Sequence, residues 1–174
     1  AEVAALAVNE AHRQRLVDIE IAVEAVGRSM RFDELNKKDS PAYAREVLAL
    51  ARERIDRLKA GGDIDWDKSP ERTVLGYRSK IDDTVQPYAI SLPDHYLRSR
   101  GLKWYPLYVE LHGRGDQSEV PFIRRNLNKP VPEDQTWIQL DVFGRGNNAY
   151  RYAGETDVFE AIADVMRRYR IDEQ

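Results

Sequence analysis

The first third of the chain carries apolar residues at alternating spacings of three and four, which predicts amphipathic helices. One stripe predicts a helix over residues 2–31 and consists of Leu16, Ile19, Val23, Val26 and Met30. A second helix is predicted to start at Ser40-Pro41, a typical N-cap and first-turn pair, and to end before Gly61-Gly62. We therefore predict a helical hairpin over residues 1–62 and a polar linker over residues 63–71, with Trp66 as a packing anchor.

The helical hairpin needs a surface to pack on, because two helices alone bury little area. Two interpretations stay open. The hairpin either pads the domain that follows, or it is an interaction module through which the chain forms a homo-oligomer.

Strand-like patterns replace the helical ones from residue 72 onward. Residues 73–79 and 85–93 predict an antiparallel hairpin, in which Pro87 indicates an edge position or a bulge. Residues 94–101 are predicted to form a polar surface loop. The later pattern predicts a buried strand ending at Leu111, a helix over 120–127, a strand over 136–142 and a helix over 156–170.

This element order predicts an α/β fold with a mixed sheet, in which a leading antiparallel hairpin is followed by parallel strands. With so few strands and one crossover helix, we expect one side of the sheet to be bare. Residues 72–174 are therefore predicted to be the N-terminal half of a larger domain, truncated or processed.

Composition excludes several classes of function. The net charge is −3 with a pI near 5.7, so we expect neither a nucleic-acid nor a membrane partner. The absence of cysteine excludes disulfides and thiol catalysis. The histidines, His12, His95 and His112, have no metal-ligand spacing, and we expect no cofactor. The compartment stays open, including secretion or the periplasm with a signal already removed.

The predicted strand that ends at Leu111 leads into the turn with the most distinctive chemistry, His112-Gly113-Arg114-Gly115-Asp116. Glycines let a ligand approach the main chain closely, and turns at the ends of buried strands are common ligand sites in α/β proteins. A second such turn, Gly144-Arg145-Gly146, follows the next strand.

Together these stretches resemble the first half of the catalytic domain of a prolyl-oligopeptidase-like serine hydrolase, in the α/β-hydrolase superfamily. The resemblance covers residues 72–174. It is carried by four groups of residues in order: Gly76 to Asp82 with Gln86-Pro87-Tyr88, Leu111 to Asp116, Phe143 to Asn147, and Glu155 to Ile162.

The resemblance implies that a backbone N–H in Gly113, Arg114 or Gly115 is an oxyanion-hole donor. It further implies that His112, Asp116 and Arg145 line the substrate cleft, with His112 shaping the turn by hydrogen bonding. For Arg145 the alternative is a surface salt bridge that only shapes its turn.

The nucleophile elbow G-x-S-x-G is absent from residues 1–174. The resemblance therefore implies that the Ser, the acid and the catalytic His lie beyond Gln174. We expect the N-terminal part of an esterase or peptidase, inactive alone, that acts on an ester or peptide with the C-terminal half of the same domain. The alternative is a non-catalytic helical interaction or structural module.

Overall fold

The computed structural model describes residues 10–36, 40–61, 65–99, 101–115 and 118–172. Its elements in chain order are α1 (Glu10–Arg31), α2 (Ser40–Lys59), β1 (Glu71–Arg78), β2 (Val85–Ser91), α3 (Asp94–Arg98), β3 (Leu107–Leu111), α4 (Glu119–Asn126), β4 (Lys129–Pro130), β5 (Ile138–Val142) and α5 (Ala153–Arg168). The strands form one sheet in the order β3-β5-β2-β1-β4. The fold is thus mixed α/β, as predicted.

The predicted antiparallel hairpin is confirmed, with Thr73 opposite Ile90 and Arg78 opposite Val85. The expected edge position of Pro87 is wrong, because β2 lies between β1 and β5. The β2–β5 ladder ends at the pair Tyr88–Val142. Pro87 lies one residue past that end, where its missing N–H costs no ladder hydrogen bond.

Only β3 and β5 are parallel neighbours; the other pairings of the described strands are antiparallel. Both sides of the central strands are covered, contrary to the expected bare side. A Cβ on Gly76 would meet Ile21 of α1, and Arg72 on the same side binds Asn126 of α4. Tyr88 points to the opposite side, where its hydroxyl donates to Asp164 of α5 at 2.7 Å.

The helical hairpin belongs to this core. In α1 the buried side includes Asp18, Ile21 and Ala25, whereas Val23 and Met30 of the predicted stripe are exposed. The expected anchor Trp66 is buried, and its Nε1 donates to Asp18 at 3.1 Å. Leu16, Ile19 and Val26 of the predicted stripe are buried as expected. The buried face is shifted from the rest of the stripe because it also contains the carboxylate of Asp18, which apolar spacing does not mark.

The outer edge of β1 is closed by charged side chains. Arg54 donates to the carbonyl of Val74 at 2.7 Å, and Arg168 donates to the carbonyl of Gly76 at 3.2 Å. Asp18 accepts from the amide of Gly76 at 3.1 Å and pairs with Arg168 at 2.9 Å. Burial works to raise the pKa of Asp18, but Arg168 and Arg54 outweigh it and hold that pKa below its usual value.

The expected burial of β3 is wrong: it is the strand at the other edge of the sheet, and Tyr108 is 61% exposed. Beyond its N-terminal end, Tyr105 and Ile171 form a parallel bridge. The Tyr105 amide donates to the carbonyl of Arg170 at 3.1 Å, and the Asp172 amide donates to the carbonyl of Tyr105 at 2.8 Å. The segment around Ile171 therefore pairs in parallel with the residue that precedes β3 by two positions, on the side of β3 that faces away from β5.

The remaining helices follow the prediction with two differences. The helix predicted over 120–127 is α4, and the last helix begins three residues earlier than predicted and ends two residues earlier. Residues 94–98, predicted as loop, form the short helix α3. Tyr96 of α3 is buried against the ring of Tyr105 at 5.1 Å, so an aromatic contact distant in sequence supports this helix.

Candidate functional site

The carboxyl ends of β1, β3 and β5 lie at one end of the sheet, because β1 and β5 both run antiparallel to β2 and β3 is parallel to β5. The loop after β3 leads into α4, and the loop after β5 leads into α5. In α/β sheets this end is where ligands bind. The two predicted turns are therefore neighbours.

Asn147 joins the two loops through both ends of its amide. Its Oδ1 accepts from the amide of Gly115 at 3.1 Å, and its Nδ2 donates to the Gly115 carbonyl at 2.6 Å. This pair of hydrogen bonds fixes the backbone of the loop after β3. It also occupies the Gly115 N–H, one of the three predicted oxyanion donors.

Tyr150 joins the strand ends themselves. Its hydroxyl accepts from the amide of His112 at 2.8 Å and donates to the carbonyl of Val142 at 3.0 Å. Gly144 has φ +56, and a Cβ there would lie 2.4 Å from the Tyr150 ring. Glycine at 144 thus allows both the left-handed turn and the ring's position.

The His112 ring is directed at two backbone carbonyls. Its Nε2 lies 2.8 Å from the oxygen of Phe143, and its Nδ1 lies 2.9 Å from the oxygen of Gly113. A carbonyl oxygen can only accept and a neutral imidazole carries one N–H, so the ring donates one hydrogen bond to one of these two carbonyls. Both ring nitrogens therefore face the backbone of the two turns, which agrees with a turn-shaping residue.

The Arg114 amide differs from its neighbours in the loop. Among the described residues, it donates to no acceptor, while the amides of His112 and Gly115 are both engaged. Asp116, the other predicted cleft residue of this turn, lies outside the described residues. The predicted oxyanion donors therefore narrow to the N–H groups of Gly113 and Arg114, and the Arg114 N–H has no acceptor among the described residues.

Arg145 is held by three side chains. Its Nε contacts Asp157 at 2.9 Å, its NH1 contacts Asp82 at 2.6 Å, and its NH2 contacts Ser79 at 3.0 Å. The hydrogen bond from Arg145 lowers the pKa of Asp82 well below its usual value. This is the salt-bridge alternative, and Arg145 ties the β1–β2 turn to the loop after β5. A substrate contact stays a prediction.

Two residues that organise the site escaped the sequence interpretation. Asn147 directly follows the Gly144-Arg145-Gly146 turn and Tyr150 lies three residues further on, and the sequence pattern predicts a role for neither. The only sequence signal is an asparagine after a Gly-x-Gly turn. That signal is weak, because asparagine is common in turns for its own local hydrogen bonds.

Comparisons of this chain with known proteins do not assign it to a family. No family model, no curated protein and no solved structure matches the chain.

Among the described residues, no group of three or more His, Asp or Glu side chains is arranged to hold a metal ion. Within that same part of the chain, no helix has the length and apolar character to cross a membrane.

Proposed function

We propose that this chain is the N-terminal part of a serine hydrolase, an esterase or peptidase, and that it supplies one oxyanion-hole donor. The observation that carries the proposal is the unused Arg114 N–H in a loop fixed by Asn147 and Tyr150. In α/β-hydrolases one oxyanion donor comes from the loop between β3 and the following helix. Here the corresponding loop joins β3 to α4.

Rigid main-chain donors suit this chemistry. An acyl-transfer intermediate develops negative charge on its oxygen, and donors fixed in advance stabilise that charge without reorganising. The two hydrogen bonds between Asn147 and Gly115 hold the backbone directly after Arg114. The loop thus supports a donor role better than a turn that only reverses direction.

The nucleophile, acid and catalytic His are proposed to follow residue 174. The outer edge of β3 is unpaired along its length among the described residues, and the Tyr105–Ile171 bridge begins a parallel pairing on that side. A strand continuing from Asp172 would lie beside β3. The nucleophile elbow is a strand-to-helix turn at the top of such a sheet, so this continuation would bring a serine towards the Arg114 loop.

The test compares the 174-residue chain with a version that carries the sequence following it in the gene. We expect a fluorophosphonate probe to label a serine of the added sequence in the longer version and nothing in the shorter one. An adduct on a serine within residues 1–174, or no strand and G-x-S-x-G in the following sequence, contradicts the proposal.

The donor is tested by two substitutions in the longer version. Arg114→Pro removes the N–H, and we expect kcat to fall about 10²- to 10³-fold. Arg114→Ala keeps the N–H and should retain activity. Equal activity of the two folded variants, judged by melting temperature, excludes this donor.

A second proposal, a non-catalytic interaction module, is favoured by one observation on the helical hairpin. Exposed Met30 and Leu48 line one shallow groove of about 430 Å³ between α1 and α2. If this groove joins two copies, Met30→Lys should turn dimers into monomers in light-scattering measurements. A parent chain that is monomeric at every concentration contradicts self-association through this face.

A further inference from the structure

A cavity of about 730 Å³ lies beside the candidate site, and α1 with the residues directly after it forms one wall. Its lining includes Gly27 of α1 and Phe32, the residue directly after α1. The other walls include Ser118 and Glu119 at the N-terminus of α4 and Phe143 in the loop after β5. Ligand pockets commonly have volumes of about 300–1,000 Å³. The cavity therefore has the size of a ligand pocket, and Arg145, a predicted cleft residue, is part of its lining.

Carboxylates outnumber the cations that face them in this cavity. Arg28 pairs with Glu24 at 2.6 Å and with Glu119 at 2.9 Å. Burial raises the pKa of Glu119, Arg28 opposes this shift, and the nearby carboxylates of Glu34 and Glu24 raise the pKa further. Two carboxylates thus share the Arg28 guanidinium, and a third, Glu34, lies near them and accepts from Ser29 at 3.0 Å.

The two other arginines of the cavity do not cancel this excess. Arg145 faces both Asp82 and Asp157, so two carboxylates again share one guanidinium. Arg31 lies over the ring of Phe32, 5.6 Å from its centroid, and pairs with no carboxylate of the described residues. The lining carboxylates Glu24, Glu34, Asp82 and Glu119 exceed the lining arginines by one, and Asp157 adds to the excess.

Gln86 is an independent sign of an unfilled site. It lines the cavity and is 4% exposed. Thr84 gives its hydroxyl proton to Asp82 at 2.7 Å, so it must accept from Gln86 Nε2, also at 2.7 Å. This fixes the orientation of the amide, and its Oε1 has no partner among the described residues. The unsatisfied group is thus an acceptor, like the carboxylates.

Gly27 leaves room for a ligand on the α1 wall. A Cβ at this position would meet nothing within 4 Å. Glycine inside a helix costs about 1 kcal/mol relative to alanine, and the space it leaves here adjoins the exposed ring of Phe32. An apolar stem can lie along this wall.

We propose that this cavity binds an ammonium or guanidinium group on an apolar stem, as in a lysine or arginine side chain. The stem lies between Gly27, Phe32 and Phe143, and the cation faces Glu34 and Glu24. Glu24 and Glu34 each accept hydrogen bonds at Oε2, from Arg28 and the Val85 amide and from Ser29 respectively. The N–H groups of the ligand can donate to the other oxygen of each carboxylate and to Gln86 Oε1. That the ligand is a substrate side chain rests on the proposed function; the binding itself does not.

The test titrates the isotope-labelled 174-residue chain with N-acetyl-lysinamide and with its neutral isostere N-acetyl-norleucinamide, followed by NMR. We expect the lysine probe to shift the Gly27 and Gln86 signals and to bind at least about fivefold more tightly than the isostere. Its affinity should fall with added salt. Equal affinity of the two probes, or no binding by either, overturns the proposal.

Two matched pairs of variants locate the site. Glu34→Gln should weaken the lysine probe about two- to fivefold, whereas Asp134→Asn, the same charge change on an exposed residue outside the cavity, should not. Gly27→Leu should abolish binding and Gly27→Ala retain it. Binding unaffected by both Glu34→Gln and Gly27→Leu places the probe elsewhere and contradicts the proposal. Serine labelling of the longer version is a separate readout, so either proposal can fail alone.

Discussion

The two edges of the sheet, the β1–β4 edge and the β3 edge, differ in whether their outward-facing backbone groups have hydrogen-bond partners. At β1, β4 covers one end, and Arg54, Asp18 and Arg168 satisfy the carbonyls and amide beyond it. At β3 no such cover exists among the described residues, and Tyr108 and Leu111 are exposed. Open edges invite pairing with another strand. The contrast supports our proposal that the sheet ends at the β1–β4 edge and that a further strand pairs with β3.

The largest loss of stability is expected at the outer side of β1, where the buried carboxylate of Asp18 binds the Gly76 amide and Arg168. Asp18→Ala removes the carboxylate that pairs with Arg168 and whose charge offsets the burial of Arg54, and we expect the free energy of unfolding to fall by about 3–5 kcal/mol. Asp56→Ala, which breaks the exposed Arg52–Asp56 pair, should cost less than about 1 kcal/mol. Urea denaturation measures both variants. Similar losses for the two would mean that the closed edge does not depend on Asp18.

The next effect concerns the hydrogen bonds that join the ends of β3 and β5. Tyr150→Phe leaves the His112 amide and the Val142 carbonyl without their partner, which should cost about 1–3 kcal/mol. Tyr152→Phe is the matched control, because Tyr152 is 88% exposed and should lose almost nothing. Thermal unfolding distinguishes them, and an equal melting temperature for both variants excludes this role for Tyr150.

A smaller effect is expected from the ion pair between the β1–β2 turn and the loop after β5. Arg145 depresses the pKa of Asp82, so the pair stabilises the fold above the ordinary carboxylate pKa and is lost as pH falls below it. The stability advantage of the parent over Asp82→Asn should therefore shrink between about pH 4 and pH 2. Because Asp82 is partly exposed, we expect at most about 1 kcal/mol at neutral pH. An advantage that does not change with pH would contradict this account.

The smallest effect on stability is expected at the open edge. Leu111→Lys changes an exposed side chain of β3, so the 174-residue chain should unfold within about 0.5 kcal/mol of the parent. In the version extended by the following sequence, the same change should be strongly destabilising, since a new strand would cover it. Denaturation of both versions tests this, and a large loss in the short chain would show that the edge is already covered.

Local patterns predicted the elements that depend on local sequence. The β1–β2 hairpin and α4 were predicted because alternation, turn residues and helical spacing are read within a few residues. The burial of β3 could not be predicted in this way, because a short apolar run looks the same in a central strand and in an uncovered edge strand. Three apolar residues of the buried face of α1 were predicted, but the burial of Asp18 was not, because its partner Arg168 lies 150 residues away in the sequence.

At the candidate site, the glycines in the two turns predicted that their main chain is accessible to a ligand. The two turns do lie next to each other in the structure. What each amide does was not predictable, since Asn147 and Tyr150 act across loops whose proximity only the sheet order creates.

Hydrogen exchange of the β3 amides tests the open edge most directly. Tyr105 bonds on the outer side of β3 and Pro106 on the β5 side, so the amides of Leu107 and Val109 point outward and that of Tyr108 points to β5. We predict that Leu107 and Val109 exchange rapidly in the 174-residue chain and become protected in the extended version, while Tyr108 is protected in both. Rapid exchange of Leu107 and Val109 in both versions would contradict the claim that β3 receives another strand.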